Sequence, residues 1–222
     1  MRIALLGGTG DIGEGLALRW ANDTDHEILI GSRDPEKART AVEGYEEVLE
    51  ARGVEASVKG FANEMAADRA DVAVLSVPPY YAGDTVEAVE DQLDAGTILV
   101  TPAVGMKGDE DGMHYHPPGA GSVTELVAQR APDGVPVVGA FHNLAAGKLA
   151  NLDADLDLDT LVVADDDDAK RVVSRLAEEI DGLRALDAGP LANAAEVESV
   201  TPLVINVARY NDDMHDVGVT FE

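Results

Sequence analysis

Short apolar runs alternate along the chain with stretches in which apolar residues recur every three or four positions. The first run, "RIALLG" (2–7), reads as a buried strand, and Ile12, Leu16 and Trp20 then follow at helical spacing. "EILIGS" (27–32) predicts a second strand. "DPEKARTAVEGYEEVLEAR" (34–52) predicts a helix with Asp34 as its cap and Pro35 at its first position. "ASVKGF" (56–61), "DVAVLSVP" (71–78) and "TILVTPA" (97–103) supply three further strands, the middle one stopped by Pro78-Pro79. "SVTELVAQRA" (122–131) is helical, and "VPVVGAFHNLAA" (135–146) is a strand followed by a turn. A short strand over 160–164, a helix over Val173, Leu176 and Ile180, and a terminal helix with Val197, Val200, Val204 and Val207 on one face complete the pattern. Pro202 either starts that last helix, with Thr201 as cap, or kinks it. The segment 105–122, "GMKGDEDGMHYHPPGAGS", has no period and is expected to be a surface excursion.

Strands alternating with helices argue for a mainly parallel sheet covered on both faces. The first strand-to-helix turn refines this. Gly8-Thr9-Gly10-Asp11-Ile12-Gly13 is a G-x-G-x-x-G that follows a strand and opens a helix, the context that makes the pattern a dinucleotide fingerprint. Gly8 is expected to permit the tight turn, Gly10 to let the main chain approach a pyrophosphate, and Gly13 to let helix and strand pack closely. The helix N-terminus then offers free N–H groups to the phosphates. The fold class is therefore α/β, a Rossmann-type doubly wound sheet with a small C-terminal α/β extension. Residues 1–141 are expected to form the nucleotide-binding domain and 142–222 the smaller one. Asp11 and Glu14 beside this turn are read as solvent-facing, since an acid aimed at a pyrophosphate would repel it.

The end of the second strand selects the nucleotide. A free ribose 2′-hydroxyl calls for Asp or Glu about 20 residues beyond the glycines. Ser32 and Arg33 stand there instead, with Lys37 in the next helical turn and Arg39 close by. A guanidinium, an ammonium and a hydroxyl suit a 2′-phosphate, so the expected dinucleotide is NADP(H). Beyond the carboxyl ends of the later strands, "SVPPYY" (76–81), "TPAVG" (101–105) and "AFHNLAAGKL" (140–149) are expected around a cleft, with Ser76, Val77 and Pro78 on the nicotinamide side and His142 at its mouth. His114 and His116 form an H-x-H near Asp111, but the spacing supplies no third ligand and no metal site is assigned. No carboxylate pair and no nucleophile beside a base is evident, so no catalytic side chain is assigned. Hydride exchange between two cofactors needs proximity more than acid–base groups.

Charge changes the picture of the surroundings rather than of the chemistry. Against 43 acids stand 16 Lys and Arg, for a net charge of −27, and the acids are dispersed, densest at "DADLDLDTLVVADDDD" (153–168). Such a chain repels nucleic acid and anionic membranes, and a dispersed acidic coat suits a salt-filled, halophilic cytosol. No apolar run reaches the roughly 18 residues that span a bilayer, and "MRIALL" has no signal-peptide layout, so a cytoplasmic protein is expected. With no cysteine, thiolate chemistry and disulfides are excluded.

The chain resembles the archaeal NADPH-dependent reductases of coenzyme F-420. "RIALLGGTGDIGEGLALR", "EILIGSR", "DVAVLSVP", "EEIDGLRALDAGPLANAAEVESVTPLVINVARYN" and "GVTFE" carry the resemblance nearly end to end. "IDGLRALDAGPL" and "ESVTPL" discriminate best, since neither belongs to a general nucleotide motif. The resemblance implies reversible hydride transfer between nicotinamide C4 and C5 of an 8-hydroxy-5-deazaflavin. It places NADP(H) contacts on Thr9, Gly10, Asp11, Ile12, Ser32, Arg33 and Lys37, and the deazaflavin against His142, Leu144, Ser199 and Thr201. The family commonly has an amide where Asp11 stands, and "FHNLAA" departs from its "HTIPA"-like form. It also implies a homo-oligomer of dimer or tetramer size. Two other readings stay open from the residues alone: an NADPH-dependent reductase of a small imine or keto acid, and a non-catalytic NADP(H)-sensing protein. The first usually carries a longer helical domain than the stretch after Phe141 allows; the second would need no pocket for a second cofactor.

Overall fold

The computed structural model describes residues 1–222. β1 (Arg2–Leu6), α1 (Asp11–Asp23), β2 (Glu27–Ser32), α2 (Pro35–Ala51), β3 (Val58–Ala62), α3 (Asn63–Ala67) and β4 (Val72–Leu75) alternate through the first third of the chain. A 3-10 turn over Pro79–Tyr81 leads into α4 (Ala82–Ala88), β5 (Ile98–Thr101), β6 (Met106–Asp109), β7 (Gly112–Tyr115), α5 (Val123–Arg130) and β8 (Val137–Gly139). The chain ends with α6 (Ala146–Ala150), β9 (Leu158–Ala164), α7 (Asp167–Glu178), β10 (Leu183–Asp187) and α8 (Ala194–Arg209). Eight strands form one sheet in the order β10-β9-β8-β5-β4-β1-β2-β3. Every neighbouring pair is parallel except β8 and β9. Strand order reverses direction between β1 and β4, which opens a crevice at their carboxyl ends.

The strands read as continuous apolar runs because both faces are buried. Ile3, Leu5, Ile28, Ile30, Val72 and Val74 point into one core. Ala4, Leu6, Leu29, Ala73 and Leu75 point into the other. β2 and α2 lie where the pattern predicts, and Asp34 caps α2 by accepting from Glu36 N–H at 3.1 Å. The first core continues into the C-terminal part, taking in Leu158, Val162, Val173 and Leu176. Trp20 joins the halves: its indole N–H donates to the Leu176 carbonyl (2.8 Å), and its ring meets the edge of Phe141 at 5.6 Å.

Three sequence expectations change. The aperiodic segment 105–122 holds the hairpin β6–β7, paired antiparallel from Met106↔Tyr115 to Asp109↔Gly112. Gly108 and Gly112 interrupt its alternation, and its stability comes from α8, whose Asn206 side chain brackets Met113 N–H (2.8 Å) and carbonyl (2.7 Å). His114 Nε2 meets Asp109 Oδ1 at 3.1 Å within the hairpin. β10 was not foreseen; it adds to β9 in parallel, and β9 turns antiparallel to β8. Pro202 does not start the last helix with Thr201 as cap; it lies inside α8, which begins at Ala194.

The stretches that carried the resemblance encode much of this C-terminal architecture. In "IDGLRALD", Arg184 forms a bidentate pair with buried Asp159 (2.7 and 2.8 Å). Asp159 Oδ2 also accepts from Phe221 N–H, and its backbone N–H donates to the Val219 carbonyl, so "GVTFE" is tied to the sheet. The Arg184 hydrogen bond foremost holds the Asp159 carboxyl below the usual carboxylate range.

A buried arginine performs a similar task near the crevice. Arg19 on α1 is 4% exposed and donates to the carbonyls of Leu149 (3.0 Å), Lys148 (3.1 Å), Asn151 (2.7 Å) and Ala154 (2.9 Å). It thereby satisfies carbonyls in the last turn of α6 and in the stretch that follows it, buried at Leu149 and part-buried at the others. Gly15 allows the close approach: a Cβ there would lie 2.5 Å from Leu149 Cβ. Arg19→Leu is expected to lower unfolding free energy by about 3 kcal/mol or more, since each stranded buried acceptor costs on the order of 1 to 3 kcal/mol. Urea titration of wild type and variant measures the difference.

Candidate functional site

The turn between β1 and α1 lies at the crevice. Gly7, not Gly8, adopts the left-handed conformation the turn requires, with φ 75°. A Cβ on Gly7 would lie 2.5 Å from Val77 Cγ1, so a side chain there would strike β4's extension. Gly8 and Gly13 are needed for contact instead. A Cβ on Gly13 would meet Gly8 Cα at 2.7 Å, and one on Gly8 would meet Leu5 Cβ at 2.7 Å. Gly10 differs: its Cβ would meet nothing nearer than the Gly7 carbonyl at 3.9 Å. Space therefore remains above Gly10, and no side chain caps the N-terminus of α1. Free N–H groups and open space are what a pyrophosphate needs. The Tyr45 hydroxyl donates to the Gly8 carbonyl (2.9 Å) and holds the turn from behind, and burial pushes that phenol's pKa up. Asn63 supports it from β3's side, accepting from Gly7 N–H at 3.2 Å.

A cavity of about 390 Å³ runs from this turn to the end of β2. Thr9, Gly10, Ser32, Arg33, Lys37, Ser76 and Val77 line it together with Asn63, Tyr81 and the acids Asp34, Glu64 and Asp84. Ser32 is buried and its hydroxyl accepts from Asp34 N–H (3.2 Å). Arg33 and Lys37 are exposed and form no ion pair, in a chain where acids abound. Arg39 is excluded from the group: it pairs with Glu36 on the outer face of α2. Two uncommitted cations beside a serine leave charge available for a phosphate monoester.

A second cavity, of about 360 Å³, adjoins the first and shares Gly10, Ser76, Val77 and Pro78 with it. Asp11, Ile12, Phe141, His142, Leu144 and Thr201 line its remainder, with Pro102, Val104 and Met106 from the β5 end. Asp11 thus faces this cavity's rim, exposed, rather than the first cavity. His142 is 3% exposed, and burial pushes its imidazole down to about 3, so the ring is neutral at physiological pH. The turn that places it is strained: Phe141 has φ 66°, and its N–H donates to Thr160 Oγ1. Thr201 Oγ1 donates to the His142 carbonyl (2.8 Å), fixing α8 to this wall. Ser76 Oγ and His142 Nδ1 are the buried side-chain polar atoms without a partner, one in the shared wall and one in the second cavity's wall. Ser199 is not brought in; its hydroxyl donates to the Glu196 carbonyl (2.7 Å) within α8. Its neighbour Glu198 is wholly buried and accepts from Val123 N–H, Thr124 N–H, Thr124 Oγ1 and the Tyr115 hydroxyl, closing the N-terminus of α5.

Two joined cavities, one carrying Arg33 and Lys37 at the end of β2 and one mostly apolar, accord with relatives of known name. Residues 2–105 match the family described as NADP oxidoreductase, coenzyme F420-dependent. The F420-dependent NADP reductase of Methanocaldococcus jannaschii is 42% identical over 210 residues, covering 93% of this chain and 92% of that one. That of Methanothermobacter marburgensis is 40% identical over the same shares. The chain belongs to the F420-dependent NADP reductases. Members' fold is also seen in a crystal structure from Arthrobacter sp. FB24, described as a candidate F420-dependent NADP-reductase, with a TM-score of 0.76, 23% identity and 93% coverage of both chains. A pyrroline-5-carboxylate reductase from Coxiella burnetii shares the fold at a TM-score of 0.56 and 19% identity, with 58% of its own length covered.

For this reductase, sequence reasoning overlooked Gly7, Asn63, Tyr45 and Tyr81. Gly7 was legible as the first of two adjacent glycines after β1. The other three reach the site from elements whose contacts no local pattern encodes.

Proposed function

We propose that the protein transfers hydride reversibly between NADP(H) and the 8-hydroxy-5-deazaflavin coenzyme F-420. The observation that carries this reading is the shared wall Gly10–Ser76–Val77–Pro78. A dinucleotide anchored at Arg33 and Lys37 and laid over Gly10 passes that wall and delivers its nicotinamide to the second cavity. Thr9, Gly10 and Ile12 flank the pyrophosphate, Ser32, Arg33 and Lys37 hold the 2′-phosphate, and Ser76 and Val77 face the nicotinamide half. His142, Leu144 and Thr201 form the wall offered to the deazaflavin. When bound, the two coenzymes supply a hydride donor carbon and a hydride acceptor carbon.

The chain's own residues contribute placement and dryness. Phe141, Leu144, Val104, Pro102 and Ile12 make the second cavity apolar, which keeps water from the transferred hydride. His142 stays uncharged there and can direct a hydrogen bond without adding a full charge. Holding the two reacting carbons about 3 to 3.5 Å apart accounts for most of the acceleration such a site can give. Asp11 lies on the rim, where salt screens it from the cofactors.

In the same reading, residues 1–141 bind NADP(H) and residues 142–222 complete the deazaflavin cleft. The working form is a homo-oligomer, supported by exposed Leu203 and Ile205 on α8 beside a third, apolar hollow lined by Val204, Ala208 and Val217. Light scattering at high salt measures its size. The net charge of −27 argues against nucleic acid as a partner and for small molecules in a salty cytoplasm. No helix is long and apolar enough to cross a membrane.

The test is a steady-state assay with NADPH and oxidised deazaflavin. The deazaflavin absorbance band is expected to disappear with NADPH and to persist with NADH at equal concentration. A panel of imines and keto acids is expected to give no NADPH oxidation. Turnover of one of those without deazaflavin turnover rejects the proposal. Binding of NADP(H) without deazaflavin binding points to a sensor instead.

A further inference from the structure

Of the two ring nitrogens of His142, only one has a partner. Nε2 meets Thr124 Oγ1 at 3.4 Å, whereas Nδ1 is buried without a partner in the wall of the second cavity. Burial keeps the ring neutral, so one nitrogen carries a hydrogen and the other a lone pair. Which is which decides what that wall offers a ligand.

Behind Thr124 stands Glu198 of α8, wholly buried. Its Oε1 accepts from Thr124 N–H (2.9 Å) and Thr124 Oγ1 (2.9 Å). Its Oε2 accepts from Val123 N–H (3.1 Å) and the Tyr115 hydroxyl (3.1 Å). Burial pushes this carboxyl above its usual range, and the four donors oppose the rise. A proton on the carboxyl has its place on Oε2, where the Tyr115 oxygen can receive it and donate instead to the Gly121 carbonyl at 3.2 Å. Oε1 is different. The Thr124 N–H facing it can only donate, so Oε1 stays an acceptor in either state. The single hydroxyl hydrogen of Thr124 is therefore given to Glu198. Toward His142 the threonine oxygen keeps only a lone pair, and Nε2 has to bring the hydrogen.

The backbone is shaped for this contact. A Cβ on Gly139 would lie 2.9 Å from Thr124 Oγ1 and 3.0 Å from His142 Cε1, so a side chain there would part the two. The left-handed turn at Phe141 and the Thr201 hydroxyl on the His142 carbonyl hold the base of the ring.

We infer that Glu198 and Thr124 are positioning residues that hold His142 as its Nε2–H tautomer and leave Nδ1 as a bare acceptor in the second cavity's wall. That wall then favours a ligand bearing an N–H or O–H edge over one offering a carbonyl oxygen, because two facing acceptors leave both unpaired. This consequence rests on the reading of the second cavity as the deazaflavin's, whereas the tautomer is a property of the free protein.

Nitrogen NMR of the full-length protein in high salt, with 15N-labelled histidine, reads the tautomer directly; the His142 signals are identified by their loss in His142→Gln. Wild type is expected to show a protonated, pyrrole-type Nε2 and an unprotonated, pyridine-type Nδ1. Glu198→Met removes the acceptor at similar volume. The Thr124 hydroxyl then donates to Nε2, and the two signals exchange character. Thr124→Val strands no backbone donor and decides the point whatever the fold of the Glu198 variant: both tautomers become populated and the signals converge. Thr124→Ser is expected to restore the wild-type pattern. In turnover, Thr124→Val is expected to raise KM for the deazaflavin about 2- to 12-fold, the scale of one neutral hydrogen bond, with KM for NADPH unchanged. A pyrrole-type Nδ1 in wild type overturns the inference, as do unaltered signals in Thr124→Val. Failure of the deazaflavin reading looks different: the signals change as stated while KM for the deazaflavin stays at its wild-type value.

Discussion

Replacing Arg33 with alanine is expected to weaken NADP(H) binding about 10- to 150-fold, equivalent to about 1.5 to 3 kcal/mol, the scale of a charge-assisted hydrogen bond. NAD(H) is expected to lose far less, so the ratio of kcat/KM values for NADPH and NADH should collapse. The structural ground is that Arg33 forms no ion pair. Its neighbour Arg39 does, held by Glu36, so Arg39→Ala serves as the control with near-normal preference. Equal losses for both dinucleotides in Arg33→Ala would contradict the 2′-phosphate assignment.

The second large effect concerns salt. Dilution from about 2 M to about 0.1 M potassium chloride is expected to inactivate and unfold the protein, because the Debye length then grows from a few ångströms to about 10 Å. Consecutive acids such as Asp165 to Asp168 lie closer together than that, their Cα atoms about 3.8 Å apart per step. At high salt each is screened from the next; at low salt the net −27 acts as one repelling shell. Circular dichroism and activity followed after dilution should fall together and recover on adding salt back. NADP+ present during dilution should delay the loss, since a ligand of the folded state stabilises it. Full activity in salt-free buffer would reject the halophilic reading.

Legibility differed between the two ends of the chain for physical reasons. β1, β2 and α2 were readable because strands buried on both faces are uniformly apolar and because a cap and a first-turn proline are local signals. That Thr9, Gly10, Ser32, Arg33 and Lys37 line one cavity was readable for the same reason: each is fixed by its offset from a strand end. The hairpin β6–β7 was not, since Asn206, about a hundred residues on, satisfies Met113. Nor was β10, whose partner is supplied by the returning strand β9.

By itself the sequence determined the parallel N-terminal half of the sheet, the pair of cations at the end of β2, the acidic coat and, through "IDGLRALDAGPL" and "ESVTPL", the family. Tertiary structure decided the rest. It moved the left-handed turn from Gly8 to Gly7, took Arg39 out of the cationic group and Ser199 out of the cleft, and buried Arg19 and Glu198 as supports of α6 and α5. It also neutralised His142 and brought Tyr81 against Arg33. Offsets along a strand or helix are encoded within a few residues, whereas desolvation and contacts between distant segments exist only once the chain has closed on itself.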